Sequence, residues 1–216
     1  ENCLKERWKM KKIGILTFHR SFNCGSMMQA FALQTVIKKL GYESEIIDFS
    51  NDGQKKLYKA YFQMDSLKSL VKNIVILPYL KKIQHNNECY EKFLANNMTL
   101  SLDSYSKMSD LKDDGYDIVV AGSDQIWNIT IVDGDDAYFL PWIKNAKRVA
   151  YAPSFGARNI EVYAEDSSKY AKYLREFQWI SIREKNGEKW IKNLINIDVP
   201  VVLDPTLLLS IDEYIP

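Results

Sequence analysis

The order of apolar runs along the chain is the feature that most constrains its fold. Short runs rich in β-branched residues alternate with longer segments of helical periodicity. The short runs lie at residues 13–18, 45–49, 116–121, 148–152, 179–183 and 199–203, and the helical patterns lie at residues 26–40, 162–177 and 185–195. This alternation predicts an α/β fold with an open, doubly wound, mostly parallel sheet, which is a Rossmann-like domain.

One region interrupts the alternation. Residues 54–111 are rich in Lys, Tyr, Leu and Asn, with helical periodicity at 67–76 and 89–94, and we predict that they form a helical insertion. No internal repeat and no Gly-, Ser- or Pro-rich linker divides the chain, so residues 10–216 are expected to form one domain. Residues 1–9 precede Met10 and are interpreted as a leader or as residues left by cloning.

Composition excludes several classes of function. The 216 residues carry 29 lysines and arginines against 28 acids, a net charge of +1, so no overall field attracts nucleic acid. The 3 cysteines lack CxxC spacing, which argues against a disulfide framework or a zinc site and favours a reducing cytoplasm. The longest apolar run, residues 74–80, is far shorter than the roughly 20 residues of a membrane span, and residues 1–12 lack a secretory signal pattern.

Polar residues directly follow most of the apolar runs. In an open parallel sheet such residues meet at one edge, the carboxyl edge, where ligands bind. The polar stretches are residues 19–26, 122–128, 154–156, 183–185 and 204–206. We therefore expect the functional site to be built from these five stretches.

Residues 23–26 open the first helical segment, where free backbone N–H groups favour an anion such as a phosphate or a carboxylate. The ordinary alternative is that Asn23 and Ser26 only cap the helix. The sequence contains neither GxGxxG nor GK(S/T), so no nucleotide-binding loop is predicted. Cys24 and His19 are five residues apart in sequence, which does not establish a nucleophile–base pair.

The stretch 122–128, Gly-Ser-Asp-Gln-Ile-Trp-Asn, is the most informative one. Its Asp124 is suited to general-base work on a hydroxyl, and its Trp127 to stacking on a sugar. The alternative is a β-turn in which Asp124 caps a short helix and Trp127 packs in the core.

Two later stretches offer charged groups. Arg183 provides a planar fork for a carboxylate or a phosphate and Lys185 a point charge, unless Arg183 pairs with Glu184 or another acid. Asp204 is explained equally well as a cap of the segment that follows it. With only 2 histidines, the sequence predicts no histidine metal site.

Five ordered stretches of this sequence resemble the polysaccharide pyruvyl transferase family. They are residues 22–34, 117–128, 151–156, 180–185 and 202–209. The resemblance extends from about residue 13 to the end, with 54–111 variable. Cys24 departs from the family, which commonly has an aromatic residue between the Asn and the Gly of the first stretch.

The resemblance implies an enzyme that transfers the pyruvyl group of phosphoenolpyruvate to sugar hydroxyls as a ketal and releases phosphate, in surface polysaccharide biosynthesis. Phosphoenolpyruvate is then the co-substrate and a glycan or lipid-linked sugar the acceptor, with no metal or other cofactor. A cytoplasmic location, including the inner face of the membrane, goes with this function. The matching stretches imply catalytic roles for Asp124 and Arg183 and substrate-binding roles for Asn23, Gly25, Ser26, Gln29, Gly122, Ser123, Gln125, Trp127, Asn128, Ser154, Lys185 and Asp204.

Members of this family resemble GT-B-like folds, with two Rossmann-like halves around a cleft, and their C-terminal half supplies a basic residue or histidine used as an acid. The resemblance therefore implies that this chain is the N-terminal half, that the C-terminal domain is absent from it, and that it is inactive alone. Two other functions stay open, a nucleotide-sugar glycosyltransferase of GT-B-like fold and a non-catalytic glycan-binding module.

Overall fold

The computed structural model describes residues 11–58 and 74–214. In this part of the chain the strands are β1 Lys12–Leu16, β2 Glu43–Phe49, β3 Leu100–Tyr105, β4 Ile118–Ala121, β5 Lys147–Ala150 and β6 Trp179–Ile180. They form one sheet of 6 strands in the order β3-β2-β1-β4-β5-β6, and every adjacent pair is parallel. The α/β, Rossmann-like fold class predicted from the sequence is therefore confirmed.

The helices of the same residues are α1 Cys24–Lys39, α2 Asp52–Tyr58, α3 Leu80–Asn97, α4 Ile160–Tyr163, α5 Ser167–Arg175 and α6 Lys185–Ile195. Short 3-10 turns include Asp136–Phe139, after β4, and Pro205–Leu207, near the end. None of the described helices is long and apolar enough to cross a membrane.

Both faces of the sheet are covered, because alternate residues of each strand point to opposite sides. On one face, Ile13 and Ile15 of β1 pack with a cluster that includes residues of α1 and α3. On the other face, Leu16 of β1 packs with a larger, aromatic-rich cluster that includes residues of α5 and α6. The two clusters make this a doubly wound sheet with a helix layer on each side.

The first helix spans residues 24–39, where the sequence predicts 26–40, and both of its caps have clear physical causes. Asn23 is the N-cap, and its side-chain oxygen accepts hydrogen bonds from the backbone N–H groups of Gly25 and Ser26. Gly41, at φ +86°, follows the helix and lets its N–H bond the carbonyl of Lys38, while Tyr42 N–H bonds the carbonyl of Ile37. A positive φ is a conformation that glycine adopts without strain, so Gly41 ends the helix sharply and returns the chain to β2.

Two sequence predictions of secondary structure are wrong. Leu100–Tyr105, inside the predicted helical insertion, is the edge strand β3, whose middle residues, 102–104, are exposed. Residues 199–203, predicted as a strand, form only an isolated bridge between Val201 and Ile182. Pro200 has no N–H to donate to a strand ladder, which limits this pairing.

One predicted helix is divided in two. Residues 162–177 contain the end of α4 and the whole of α5, separated by a break in which Asp166 accepts a hydrogen bond from the backbone N–H of Ser168. An aspartate at an N-cap starts a new helix by satisfying its free N–H groups. The interruption therefore follows from a capping residue that the apolar periodicity does not reveal.

The sheet order places a topological switch point between β1 and β4. From β1 the chain leads through α1 to β2 on one side, whereas β4 continues through β5 to β6 on the other. In open parallel sheets the ligand crevice lies at the carboxyl edge where the order reverses. This directs attention to the segments that follow β1 and β4.

Candidate functional site

Three residues just past neighbouring strands have left-handed backbone conformations that non-glycine residues rarely adopt. Phe22 follows β1 at φ 39°, Asp124 follows β4 at φ 76° and Ala152 follows β5 at φ 54°. Such conformations cost free energy and collect at functional sites. The strained backbone of the described residues is thus found repeatedly at the carboxyl edge.

Ser26 and Asp124 meet across the switch point. The hydroxyl of Ser26, in the first turn of α1, donates to Oδ2 of Asp124 at 2.5 Å. The backbone N–H of Gln125 donates to the other carboxylate oxygen, Oδ1, at 2.7 Å. Ser26 is buried and Asp124 is half-buried, so the carboxylate is held in one orientation while part of it remains open to solvent.

The N-terminus of α1 is already capped. Oδ1 of Asn23 accepts from the N–H of Gly25 at 2.8 Å and from the N–H of Ser26 at 3.4 Å. The alternative interpretation of this stretch as a helix cap therefore describes the structure. The two N–H groups bind a side chain of the protein instead of a free anion. Asn23 and Gly25 are exposed at the carboxyl edge all the same.

Arg183 is paired with Asp204. Its Nη1 lies 2.8 Å from Oδ2 of Asp204 and 3.4 Å from the hydroxyl of Ser123, whereas its Nε is 3.9 Å from Glu184. Burial alone would raise the pKa of Asp204, but hydrogen bonds from Thr206, Arg183 and Ser123 outweigh burial and lower it. Within the described residues, Nη2 of Arg183 has no hydrogen-bond partner and remains able to bind an anion.

Glu184 joins the segments after β5 and β6. One of its carboxylate oxygens accepts from the hydroxyl of Ser154 at 2.9 Å and from the N–H of Phe155 at 3.1 Å. Burial raises the pKa of Glu184 despite these bonds and the nearby charge of Arg183. The hydroxyl of Ser154 is therefore occupied by a protein carboxylate. The backbone N–H of Ser154 donates to the carbonyl of Asp124, which fixes the segment after β5 to the segment after β4.

Gln29 supports the site from below. Its Nε2 lies within hydrogen-bond distance of Thr17 Oγ1, the carbonyl of Phe18 and the carbonyl of Ser26, at 2.9, 3.0 and 2.9 Å. The side chain of Thr17 in turn donates to the carbonyl of Ser123 at 2.8 Å. Gln29 is buried, so it fixes the segment after β1 instead of facing a ligand.

Four predicted ligand-binding residues have structural roles here. Trp127 is 0% exposed, stacks on Phe139 with ring centroids 5.3 Å apart, and donates its indole N–H to the carbonyl of Tyr138. The expectation that Trp127 shapes a sugar pocket is therefore corrected, because its ring lies in the core. Gly122 has no room for a side chain, since a Cβ there would lie 2.8 Å from Cβ of Thr17.

Asn128 and Ser123 also make hydrogen bonds within the protein. The amide of Asn128 donates to Gln125 Oε1 at 2.9 Å, and its oxygen accepts from the backbone N–H of Thr130 at 3.1 Å. Ser123 is 0% exposed and donates its hydroxyl to Asp204. Gln125 and Lys185, by contrast, are exposed.

A network that the sequence analysis missed lies at the ends of β1 and β2. Asp48 accepts from Nε2 of His19 at 2.9 Å, from Nε of Arg20 at 2.8 Å and from the hydroxyl of Ser104 at 2.5 Å. Burial would raise the pKa of Asp48, but these three partners outweigh it and hold the pKa far below its usual range. An aspartate inside an apolar strand was the available signal, because buried carboxylates require partners.

His19 and Cys24 do not form a catalytic pair. His19 is fully buried, and its Nδ1 and Nε2 face the carbonyl of Thr17 and the carboxylate of Asp48. Cys24 is exposed as a free thiol at the start of α1. Among the residues that the structure describes, no group of three or more His, Cys, Asp or Glu side chains is placed to hold a metal ion.

The side chains at the carboxyl edge are suited to binding hydroxyl groups more than to binding a highly charged anion. The carboxylates there include Asp48, Asp124, Glu184 and Asp204, and the guanidinium groups of Arg20 and Arg183 are both paired with carboxylates. Carboxylates accept hydrogen bonds from hydroxyls, and a base beside a hydroxyl can take its proton. The arrangement can therefore orient a hydroxyl group and accept its proton.

Comparison with models of known protein families gives one match. Residues 23–216 match the family described as polysaccharide pyruvyl transferase. No curated protein and no solved structure matches the chain. The matched range begins at Asn23, the N-cap of α1, and includes Asp124, Arg183 and Asp204.

Proposed function

Because the chain belongs to the polysaccharide pyruvyl transferase family, we propose that it serves in the transfer of a pyruvyl group from phosphoenolpyruvate to two hydroxyls of a sugar. The product is a cyclic ketal on a glycan or a lipid-linked sugar of a surface polysaccharide, and phosphate is released. The family membership supports the class of reaction, and the geometry of the carboxyl edge supports the part that this chain plays in it.

The proposed reaction uses no oxidant. A proton adds to the methylene carbon of phosphoenolpyruvate, and the first sugar hydroxyl attacks C2, forming one C–O bond and losing its proton. The second hydroxyl then attacks C2, and the bond from C2 to the phosphate oxygen breaks. The proton of the second hydroxyl ends on the released phosphate. An acid must therefore protonate the methylene carbon, and bases must accept the hydroxyl protons.

The position of Asp124 is the observation that carries the proposal. Its carboxylate lies at the switch point, is fixed by Ser26 and Gln125, and is half-buried on a strained backbone. A carboxylate held in this way can accept the proton of a sugar hydroxyl without first reorganising. We assign Asp124 to this role.

Arg183 is the group that we propose for the donor. Its Nη2 is open while Asp204 fixes the guanidinium through Nη1. A planar guanidinium is well matched to the carboxylate or the phosphate of phosphoenolpyruvate. Since this is one cation against a trianionic donor, we also propose that a second domain supplies further cations and the general acid, and that the chain binds substrates but does not turn them over alone.

Isothermal titration of the chain with phosphoenolpyruvate, with UDP, and with a panel of methyl glycosides tests the proposal. We expect binding of phosphoenolpyruvate and of at least one glycoside, and weaker binding of the donor by Arg183→Lys. Binding of UDP without binding of phosphoenolpyruvate would favour a nucleotide-sugar glycosyltransferase. Binding of a glycoside alone would favour a glycan-binding module.

A further inference from the structure

A cavity of about 210 Å³ lies between α1 and α3. Most of the side chains that line it are apolar or carry a thiol, and they are Cys24, Met27 and Met28 of α1 and Asn86, Cys89, Tyr90 and Phe93 of α3. The three residues of α1 are spaced three and four positions apart, which places them on one face of the helix. Unbranched methionine side chains give this wall the ability to adapt to an apolar ligand.

The wall that α3 contributes is fixed by ring contacts. The ring of Tyr90 lies against Phe22, just before α1, with centroids 5.9 Å apart. The ring of Phe93 lies against Phe31 of α1, with centroids 5.7 Å apart. These contacts hold the two helices side by side and keep the cavity between them formed.

The cavity adjoins the candidate site. Cys24 and Met27, which line the cavity, flank Ser26 in sequence, and the hydroxyl of Ser26 donates to Asp124 at 2.5 Å. Residues 23–25, at the start of α1, are exposed. A ligand that is bound at Asp124 can therefore pass over the start of α1 and enter the cavity.

At its other end the cavity continues along α3. Asn86 and Cys89 also line a second cavity, of about 560 Å³, whose other residues are Val75, Ile76, Tyr79, Lys82, Ile83 and His85. Val75 is 64% exposed and Tyr79 is 60% exposed, so the second cavity opens at the surface. We call the two cavities together the α1–α3 groove.

The groove and the candidate site suit different parts of a ligand. The carboxyl edge presents carboxylates, which bind hydroxyls, whereas among the described residues no carboxylate lines the groove. Ligand cavities of roughly 300–1,000 Å³ that are lined mainly by apolar groups bury the apolar surface of their ligands. A molecule with a sugar at one end and an apolar chain at the other fits both surfaces.

We propose that the α1–α3 groove binds the apolar chain of a lipid-linked sugar whose hydroxyls lie at Asp124. The inference rests on the proposed function, and it selects a lipid-linked sugar over a free glycan as the acceptor. The chain leaves the sugar over the exposed start of α1 and enters the groove beside Cys24 and Met27. It then passes Cys89, where the two cavities meet, and runs toward Tyr79.

Titration of the whole chain with methyl and octyl glycosides of glucose, galactose and mannose tests the groove. The two glycosides of one sugar differ only in the length of the alkyl chain. Each buried methylene strengthens binding about fourfold, so burial of part of the octyl chain makes the octyl glycoside bind at least about 50-fold tighter than the methyl glycoside. Isothermal titration below the micelle concentration measures the ratio, and equal affinities would overturn the groove.

Cys89→Glu places a charge where the two cavities meet. Because an alkyl chain would then bury that charge, we expect the preference for the octyl glycoside to fall to less than about threefold. Gln84→Glu is the matched control, since it adds the same charge at an exposed position of α3 that lines neither cavity, and it keeps the preference. Melting temperatures verify that both variants are folded, and a preference that survives Cys89→Glu would contradict the groove.

The two cysteines of the groove provide a measurement that does not depend on this variant. In the Cys3→Ser chain, an octyl glycoside at about ten times its Kd should slow the alkylation of Cys24 and Cys89 by iodoacetamide about tenfold. Tight binding of the octyl glycoside without protection of the thiols would place the alkyl chain elsewhere and overturn the proposal. A dimer that the octyl glycoside dissociates in sedimentation experiments would place a second copy in the groove, with the same result.

The groove and the proposed function fail separately. If phosphoenolpyruvate and a methyl glycoside bind but the length of the alkyl chain has no effect, the groove is wrong and the proposed function stands. If the octyl glycosides bind in the groove and protect both thiols but phosphoenolpyruvate does not bind, the groove stands and pyruvyl transfer is wrong.

Discussion

The hydroxyl of Ser26 and the carboxylate of Asp124 are 98 positions apart in the sequence and 2.5 Å apart in the structure. Ser26 lies on the helix that follows β1, and Asp124 follows β4. Their hydrogen bond connects the segments that follow β1 and β4, from which the sheet extends in opposite directions. The geometry of the candidate base is therefore set by the packing of α1 on the sheet as well as by the turn that contains it.

Asp124→Asn is expected to abolish function while preserving the fold. Asparagine tolerates a positive φ and can still accept a hydrogen bond from Ser26, so the melting temperature stays within about 2 °C of the wild type. It cannot accept a proton, and pyruvyl transfer in an active, longer form of the protein falls at least about 100-fold. Phosphate release with saturating phosphoenolpyruvate measures the effect, and near-normal release would remove Asp124 from the role of base.

Ser26→Ala is expected to have a smaller effect on the same reaction. The variant keeps the carboxylate but removes one of the two hydrogen bonds that orient it, so the rate falls about tenfold. The melting temperature distinguishes this effect from unfolding. A fall as large as that of Asp124→Asn would indicate that the serine hydroxyl itself contacts the substrate.

Asp48→Asn is expected to destabilise the fold strongly. The variant removes the charge that pairs with Arg20 and accepts from His19 and Ser104 in a buried position, which costs about 3 kcal/mol of unfolding free energy. Glu91→Gln removes the exposed partner of the same arginine and costs less than about 1 kcal/mol. Urea denaturation of the two variants measures the difference, and equal losses would contradict the buried network.

The same carboxylate predicts a dependence of stability on pH. Since the pKa of Asp48 is lower in the folded chain than in the unfolded chain, its contribution is fully present above the unfolded value of about 4. It is lost as the pH falls below that value toward the folded pKa. The unfolding free energy measured from pH 7 to pH 2.5 should decline below about 4, and the decline should be shallower in Asp48→Asn.

Trp127→Ala is expected to act on the core. Its indole is fully buried among Phe139, Phe155 and Phe177, so truncation costs about 3–5 kcal/mol. Trp179→Ala is the matched control, because Trp179 is 46% exposed and its loss costs about 1 kcal/mol or less. Trp127→Phe, which keeps an aromatic ring, should bind glycosides as the wild type does, and a specific loss of binding would return Trp127 to the site.

The sheet could be predicted from the sequence because its central strands are apolar on both faces and end in polar residues. The strand β3 could not be predicted in this way. Leu102 is fully exposed and Asp103 and Ser104 follow it, which leaves little alternation of apolar and polar residues to detect. At the other end, Val199 and Val201 give a strand-like composition, but Pro200 and a single bridge to Ile182 limit the pairing. Edge positions thus carry a weaker hydrophobic signal than central ones.

The candidate site was predictable as a set of stretches but not as a set of contacts. Residues 122–128 do lie at the switch point, yet the sequence does not reveal that Trp127 turns inward while Asp124 stays half-buried. Nor does the sequence reveal the left-handed backbone conformation of Asp124, at φ 76°.

The six strands of the described residues run in the same direction, so the candidate-site side chains lie at one edge of the sheet and the strands begin at the opposite edge. Lys11, Glu43 and Lys147 are exposed there, at or next to the starts of β1, β2 and β5. With the three native cysteines replaced by serine, a single cysteine introduced at one of these positions would attach the protein to a sensor surface with its ligand-binding side facing the flowing solution. The polarity of the sheet thereby provides a route to oriented immobilisation for weak-affinity glycan measurements.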